Sequence, residues 1–361
     1  MNSTQSTPAS FFYWIGSVLM VGYILVVGRN VILPVVIAVI AVFVLVRVVD
    51  WLSNLPVLKL LPSWALHVVV LATAVAAVSL LGLVIAVTLE QMTDRAPTYQ
   101  ANIETLLKNS SAVFGLTDEA SWQDIRSVTL GRIDLASFVG RAFSSLSSFG
   151  GSVFLIIVYC AFLLSEFANL PAKMRSAFRQ KGEAARMLGF VEEISGKVSD
   201  YLSAKTGVNI VLGVVSFVIL WLFGVDFAVF WAITIALLNY VPYIGSAIGV
   251  AMPAILSVAQ FGDLWTTATL TAGLAAAQVF VGNVLEPRWI GRQLNLSPFS
   301  IILSLAIWSS IWGIAGAILA APLTSVLMIV FREIPATQPL ANLIADVPAG
   351  QDSEKQETRS A

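Results

Sequence analysis

The chain has 361 residues, of which 58% are apolar and 11% charged, and its formal charge is -1. A soluble domain carries about 25% charged residues, so this composition excludes a water-exposed fold of the same size, and its long apolar runs exclude the alternating strands of an outer-membrane barrel. The fold class is therefore all-α, a polytopic helical membrane protein, and without a concentrated basic face nucleic acid is excluded as a partner.

Residues 1–10 are polar and lack Lys and Arg, so the first apolar run, Phe11 to Val27, reads as a retained span and not as a cleaved signal. Tyr13 and Trp14 suit an aromatic belt at its entrance. Arg29 and Asn30 leave room for a very short turn before Val31 to Val49, and the two runs are expected to form a hairpin. Trp64 to Leu89 is a third run, long enough to cross with tilt or to extend beyond the lipid. The single histidine, His67, lies near its start at an interfacial position and has no companions with which to build a metal site.

Charge returns over residues 90–149, where Ile103, Leu106 and Leu107, then Ile125, Val128, Ile133 and Leu135, recur at roughly helical spacing. That pattern predicts amphipathic helices in or near the membrane surface, with the role of a lid or subunit contact or, alternatively, of direct solute recognition. Gly150 to Leu164 is a short span that holds the single cysteine, Cys160, as a buried thiol. Residues 166–205 are polar again, with Lys173, Arg175, Arg179, Lys181, Arg186, Lys197 and Lys205 set against an apolar stripe. Such basic enrichment in a short segment marks the cytoplasmic side. With three spans ahead of residue 90, both termini are then expected in the cytoplasm and 90–149 outside it.

Beyond Gly207 the apolar runs shorten: Val208 to Phe223, Phe227 to Tyr240, Tyr243 to Val258 and Leu264 to Val281. Runs below the usual crossing length of about 20 residues predict half-helices or re-entrant elements. Ser300 to Phe331 is too long for one span and carries Gly313, Gly316 and Pro322, which predicts a kinked helix or a helical hairpin. About eight membrane elements result, in a transport domain over 11–331 followed by a polar tail over 332–361.

The residues with chemistry to offer cluster in the last third. In NYVPYIG, Asn239 has an amide, Tyr240 and Tyr243 have hydroxyls and rings, Pro242 removes a backbone donor and Gly245 tolerates close approach. These groups suit a small polar solute or a monovalent cation, although a purely structural kink needs the same Pro and Gly. Glu286, followed by Pro287, lies near Arg288 and Arg292; buried, it suits proton coupling, and beside two arginines it suits an ion pair. Asp226 and Asp263 sit in short breaks and read first as helix N-caps, with Asp226 a second candidate for ion coupling. Trp308 and Trp312 are four apart on one helix face, as an aromatic pathway or a packed seam would have them.

No phosphate loop is present, and a solitary histidine with scattered serines makes no nucleophile with its base, so the chain is read as a non-enzyme without cofactors. The partners expected are the lipid bilayer and either a small polar solute or a monovalent cation and proton. Small residues and surface helices are compatible with a homo-oligomer.

Taken in order, NYVPYIG, GNVLEPRWIGRQLNLSP and SSIWGIAGAILAAPL resemble the autoinducer-2 exporter family of bacterial inner-membrane permeases. The resemblance implies a multi-pass inner-membrane permease of the quorum-sensing type without an ATPase domain. Within the family the expected cargo is either autoinducer-2 or, in antiporters, sodium or lithium against protons. Carried onto this chain, the motif positions are Asn239, Pro242, Gly245, Glu286, Pro287, Gly291, Pro298, Gly313, Gly316 and Pro322.

Overall fold

The computed structural model describes residues 8–55, 62–113, 135–178, 181–290 and 295–346. Their regular structure is helical: α1 (Pro8–Val27), α2 (Arg29–Ser53), α3 (Ser63–Val113), α4 (Leu135–Ala177), α5 (Lys181–Leu222), α6 (Ala228–Leu238), α7 (Ile244–Phe261), α8 (Leu264–Phe280), a π turn (Val281–Leu285), α9 (Glu286–Ile290), α10 (Pro298–Glu333) and α11 (Gln338–Ile344). Among the described residues, seven helices are long and apolar enough to cross a membrane, and Ile15–Val27 and Ala228–Leu238 are shorter apolar helices. The chain is thus an all-α, polytopic membrane protein.

Composition shifts do not end these helices. α3 runs from its apolar part into the charged stretch as far as Val113, and α5 joins the basic segment to the apolar run after Gly207 in one element. Lys, Glu, Arg and Leu all favour helix, so a change of polarity alone supplies no stop.

α1 and α2 do not form the hairpin expected from the sequence. The chain passes between them through Gly28, whose N–H donates to Ile24 O (2.8 Å) and whose carbonyl accepts from Ile32 N (2.9 Å). With helical bonds on both sides and only ψ displaced (φ -81°, ψ 6°), the junction is a bend.

Two compact units emerge, and each is taken by itself. The first comprises residues 1–63, 153–202 and 293–361. Its packing includes Ile40 of α2, Val198 of α5 and Leu319 of α10, with Leu33, Ile37 and Leu323 against them. Arg47 pairs with Asp200 (3.1 Å) and Arg186 with Glu333 (3.0 Å), both at exposed positions. α10 is its most enclosed helix, with 56% of its most apolar 18 residues buried. Lipid tails are as apolar as leucine, so this enclosure rests on van der Waals fit and small residues more than on water exclusion.

The second unit comprises residues 64–152 and 203–292. Val208, Leu212 and Leu220 of α5, Trp231 and Ile235 of α6, Leu270 and Leu274 of α8, and Val281 form its core. α7 ends at Gly262 in the left-handed region (φ 60°), and Asp263 then caps α8. Its carboxylate accepts from the Thr266 hydroxyl (2.6 Å) and from the backbone N–H of Thr266 (2.8 Å) and Trp265 (3.2 Å). Those bonds, that from the Thr266 side chain first, hold the Asp263 carboxyl below the usual carboxylate range.

Candidate functional site

The site grows from a broken helix in the second unit. α6 has 11 residues, about 16 Å of helix, and cannot span a hydrocarbon core of about 30 Å. Residues 239–243 turn the chain, and α7 returns beside α6. At Gly245 an added Cβ would land on the Leu238 carbonyl, and at Gly249 it would lie 3.5 Å from Ile235 Cα. The turn closes through Tyr240 N to Leu237 O (3.2 Å), Val241 N to Leu238 O (2.9 Å) and Gly245 N to Val241 O (3.0 Å). Tyr243 completes it at φ 61°, ψ -54°, a γ-turn conformation closed by Ile244 N to Pro242 O (2.6 Å) and costly for a bulky side chain.

Around this turn the structure gathers polar groups. Asn239 Nδ2 donates to Asn209 Oδ1 (2.8 Å), and Gln278 Nε2 donates to Asn239 Oδ1 (2.9 Å). Asn209 is 2% exposed and Asn239 8%, so this three-amide chain lies inside the unit. Its two ends, Asn209 Nδ2 and Gln278 Oε1, are buried and have no partner among the described residues. Reversing all three amides reverses the direction of the chain but still leaves one donor and one acceptor unfilled. One helical turn before Asn209, the Thr206 and Tyr240 hydroxyls meet at 2.6 Å.

Beside them Lys205 Nζ donates to Glu286 Oε1 at 2.6 Å, with the lysine side chain 3% exposed and the glutamate 29%. The π turn makes this geometry. Eight residues separate Gln278 from Glu286, which in an unbroken α-helix would set them about 80° apart around the axis. A π turn absorbs one extra residue and reduces the offset to about 20°. Gln278 therefore meets Asn239 and Glu286 meets Lys205 from one face of the α8–α9 element. Trp289 lies against α5 at Gly207, where an added Cβ would stand 2.8 Å from its ring.

The other residues singled out in the sequence fall elsewhere. Asp226 is not the N-cap residue of α6, a position taken by Phe227 at φ 59°. Its carboxylate instead accepts from Tyr99 Oη (2.8 Å) and Arg95 Nη1 (3.4 Å), and its N–H donates to Gln260 Oε1 (2.8 Å). Asp226 thus fastens α3 to the turn before α6. Pro287 lies in α9, Arg288 is exposed, and Gly291 and Arg292 lie outside the described residues. Glu286 therefore takes its partner from α5, where the sequence offered Arg288 and Arg292.

In the first unit Gly313 (φ 62°, ψ -138°) breaks α10. Trp308 Nε1 donates to Thr324 Oγ1 at 3.1 Å, although sixteen residues of straight helix would separate the two by about 24 Å. The chain reverses at Gly313, and Gly316 lets the arms close, since a Cβ there would meet the Trp308 carbonyl. Pro298 opens the first arm as residue N1 behind the Ser297 cap, and Pro322 is buried in the second. Trp308 and Trp312 stack obliquely (5.2 Å, 39°), and Trp312 Nε1 donates to Leu25 O of α1 (3.0 Å).

Two helical hairpins turn back on themselves, one beside linked amides and one filled by tryptophans, and residues 15–336, which contain both, match the model of the AI-2E family transporters. The chain belongs to the AI-2E transporter family. Both hairpins and the amide chain lie inside the region that defines it. The chain is 32% identical over 204 residues to the AI-2 transport protein TqsA of Escherichia coli K12, covering 56% of this chain and 58% of that one. It is 34% identical over 210 residues to the putative transport protein YhhT of the same strain, covering 58% and 59%. A putative transport protein of Borreliella burgdorferi is 31% identical over 198 residues, covering 55% and 54%. These matches span little more than half the length of the relatives.

Proposed function

We propose that the chain is a secondary transporter that exports a small polar metabolite by alternating access, with autoinducer-2 the first candidate. The observation that carries this reading is the amide chain at the broken turn, which holds an unfilled donor at Asn209 and an unfilled acceptor at Gln278. A buried polar group without a partner costs roughly 1–3 kcal/mol, so two in one site suit a site that a hydrogen-bonding solute fills. Asn239 bridges the two ends, and the Tyr240 and Thr206 hydroxyls extend the polar surface. The helices around the turn rock to expose the solute to either side. The name of the E. coli relative at 32% identity supports autoinducer-2 as the first solute to test.

Exchange of sodium or lithium for protons is the rival, and it needs a carboxylate free to trade cations. Glu286 has Lys205 and Asp226 has Arg95, so each carboxylate already has a cation beside it, which favours the exporter. A non-transporting membrane scaffold is the remaining reading, and an unfilled buried site gives it no support.

We place the chain in the bacterial inner membrane with the basic segment 166–205 in the cytoplasm. The bend at Gly28 removes the turn on which three crossings before residue 90 depended, so charge and not the count orients the chain. The contact of Glu333 with Arg186 supports a cytoplasmic position for the end of α10 as well.

Proteoliposome flux tests this reading, with autoinducer-2 and sodium offered separately, each with and without a proton gradient. Movement of the signal without sodium-for-proton exchange is expected. Internal protons released by added sodium, with no movement of the signal, would replace the exporter by the antiporter. No flux of either would leave the scaffold.

A further inference from the structure

The second arm of α10 carries polar atoms that the amide site does not use. Ser325 is 0% exposed, and its Oγ has no hydrogen-bond partner among the described residues. Nε and Nη2 of Arg332 are also buried without an acceptor. These two residues are seven apart, so they share one helix face, about 10 Å apart along the axis. A long side chain on a helix generally leans toward the N-terminus, the direction in which Ser325 lies from Arg332.

The simplest structural role for an arginine in a last helical turn is to close the terminal carbonyls. Here other donors do so: Thr337 Oγ1 to Phe331 O (3.0 Å) and Ile334 O (3.1 Å), and Gln338 Nε2 to Arg332 O (3.2 Å). The nearby carboxylate Glu333 is bonded to Arg186. What remains is the edge of the guanidinium formed by Nε and Nη2, whose two parallel N–H groups match the oxygens of a carboxylate or a phosphate. A cation buried in that state is costly unless an anion joins it.

We propose that Arg332 and Ser325 form a buried oxyanion site that takes a phosphate or carboxylate group, apart from the solute site. Arg332 grips two oxygens through its Nε–Nη2 edge, and the Ser325 hydroxyl donates to the same group. Arg332 lies in the last turn of α10, next in sequence to Glu333 of the exposed Arg186–Glu333 pair, and Ser325 lies two turns before it.

Thermal unfolding of the purified full chain in detergent tests the site, with phosphatidylglycerol, phosphatidylcholine or inorganic phosphate added at constant ionic strength set by chloride. The wild type is expected to gain about 4 °C at a hundredfold excess over Kd of phosphatidylglycerol or phosphate, and nothing from phosphatidylcholine or chloride. Arg332→Met should abolish the gain. Arg332→Lys, which keeps the charge but loses the parallel edge, should lose most of it, Ser325→Ala should lose part, and Arg186→Gln should retain it. A gain with the lipid alone assigns a headgroup, and a gain with phosphate as well assigns a soluble oxyanion. The proposal is overturned if Arg332→Met responds as the wild type does. It is equally overturned if the wild type gains nothing from either oxyanion while Arg332→Met is the more stable protein throughout, as when an orphaned charge is removed.

Discussion

The α6–α7 hairpin and the α10 hairpin solve the same backbone problem with different linings. Each begins with an arm too short to cross a bilayer, about 16 Å and about 22 Å. Each sets a glycine, Gly245 or Gly316, against a carbonyl of the opposing arm, Leu238 or Trp308. The α10 turn is filled by two indoles whose N–H groups are both satisfied, by Thr324 and by the Leu25 carbonyl. Around the α6–α7 turn lie three linked amides with both ends unfilled and a buried ion pair one turn away. A turn whose two indole N–H groups are both satisfied suits a structural joint, whereas one bordered by unfilled amide donors and acceptors can exchange partners. On that difference the proposed solute site is assigned to the α6–α7 hairpin, and the tryptophan-filled turn of α10 is expected to act as a structural joint.

The largest effects come from what the hairpins share. Gly245→Ala and Gly316→Ala each force a Cβ onto a backbone carbonyl and should each cost about 3 kcal/mol or more, read as lost folded protein in thermal unfolding. Tolerance of either change would break the parallel. Glu286→Leu leaves the Lys205 ammonium buried alone and should cost about 3 kcal/mol, most of it recovered in the double variant Lys205→Met/Glu286→Leu. Next comes a direct contrast between the linings. Asn239→Ala strands Asn209 and Gln278 and should cost about 2 kcal/mol, while Trp308→Phe leaves a hydroxyl that retains other bonding options and should cost about 1 kcal/mol. Tyr243→Gly relieves the positive-φ conformation at the amide-lined turn and should stabilise by about 1 kcal/mol in the same measurement.

The smallest effect is a pH dependence where α8 begins. The Asp263 carboxyl sits below its ordinary range when folded, so its cap is present above the unfolded carboxylate pKa and is lost as pH falls through the lower folded value. A drop in the protection of the Trp265 and Thr266 amides relative to their intrinsic exchange rates in that acid window, absent in Asp263→Asn, is the expected result.

Much of this was legible in the sequence, and the misses have physical causes. Pro242 with Gly245, and Gly313 with Gly316, announced both breaks, because Pro and Gly in apolar runs mark places where a helix cannot simply continue. Asp263 ahead of an apolar run announced its cap. Lys205 read as one more basic residue of a surface segment, because its partner lies 81 positions away and pairing at that range leaves no periodic trace. The π turn was equally silent, since VGNVL carries no signal for one extra residue per turn. Asp226 looked like a cap because a short break precedes an apolar run, but Tyr99 and Arg95 arrive from α3 and claim the carboxylate. Arg29 and Asn30 suggested a reversal, yet a small change in ψ at Gly28 bends the helix without ending it.

The most direct test is the initial rate of solute export from proteoliposomes that contain equal amounts of folded wild type, Asn239→Ala or Trp308→Phe. Asn239→Ala is expected to lose at least about tenfold, the equivalent of one good buried hydrogen-bonding group, and Trp308→Phe to stay within about threefold of the wild type. Equal losses in the two variants, or a larger one in Trp308→Phe, would contradict the assignment of the solute to the amide-lined hairpin.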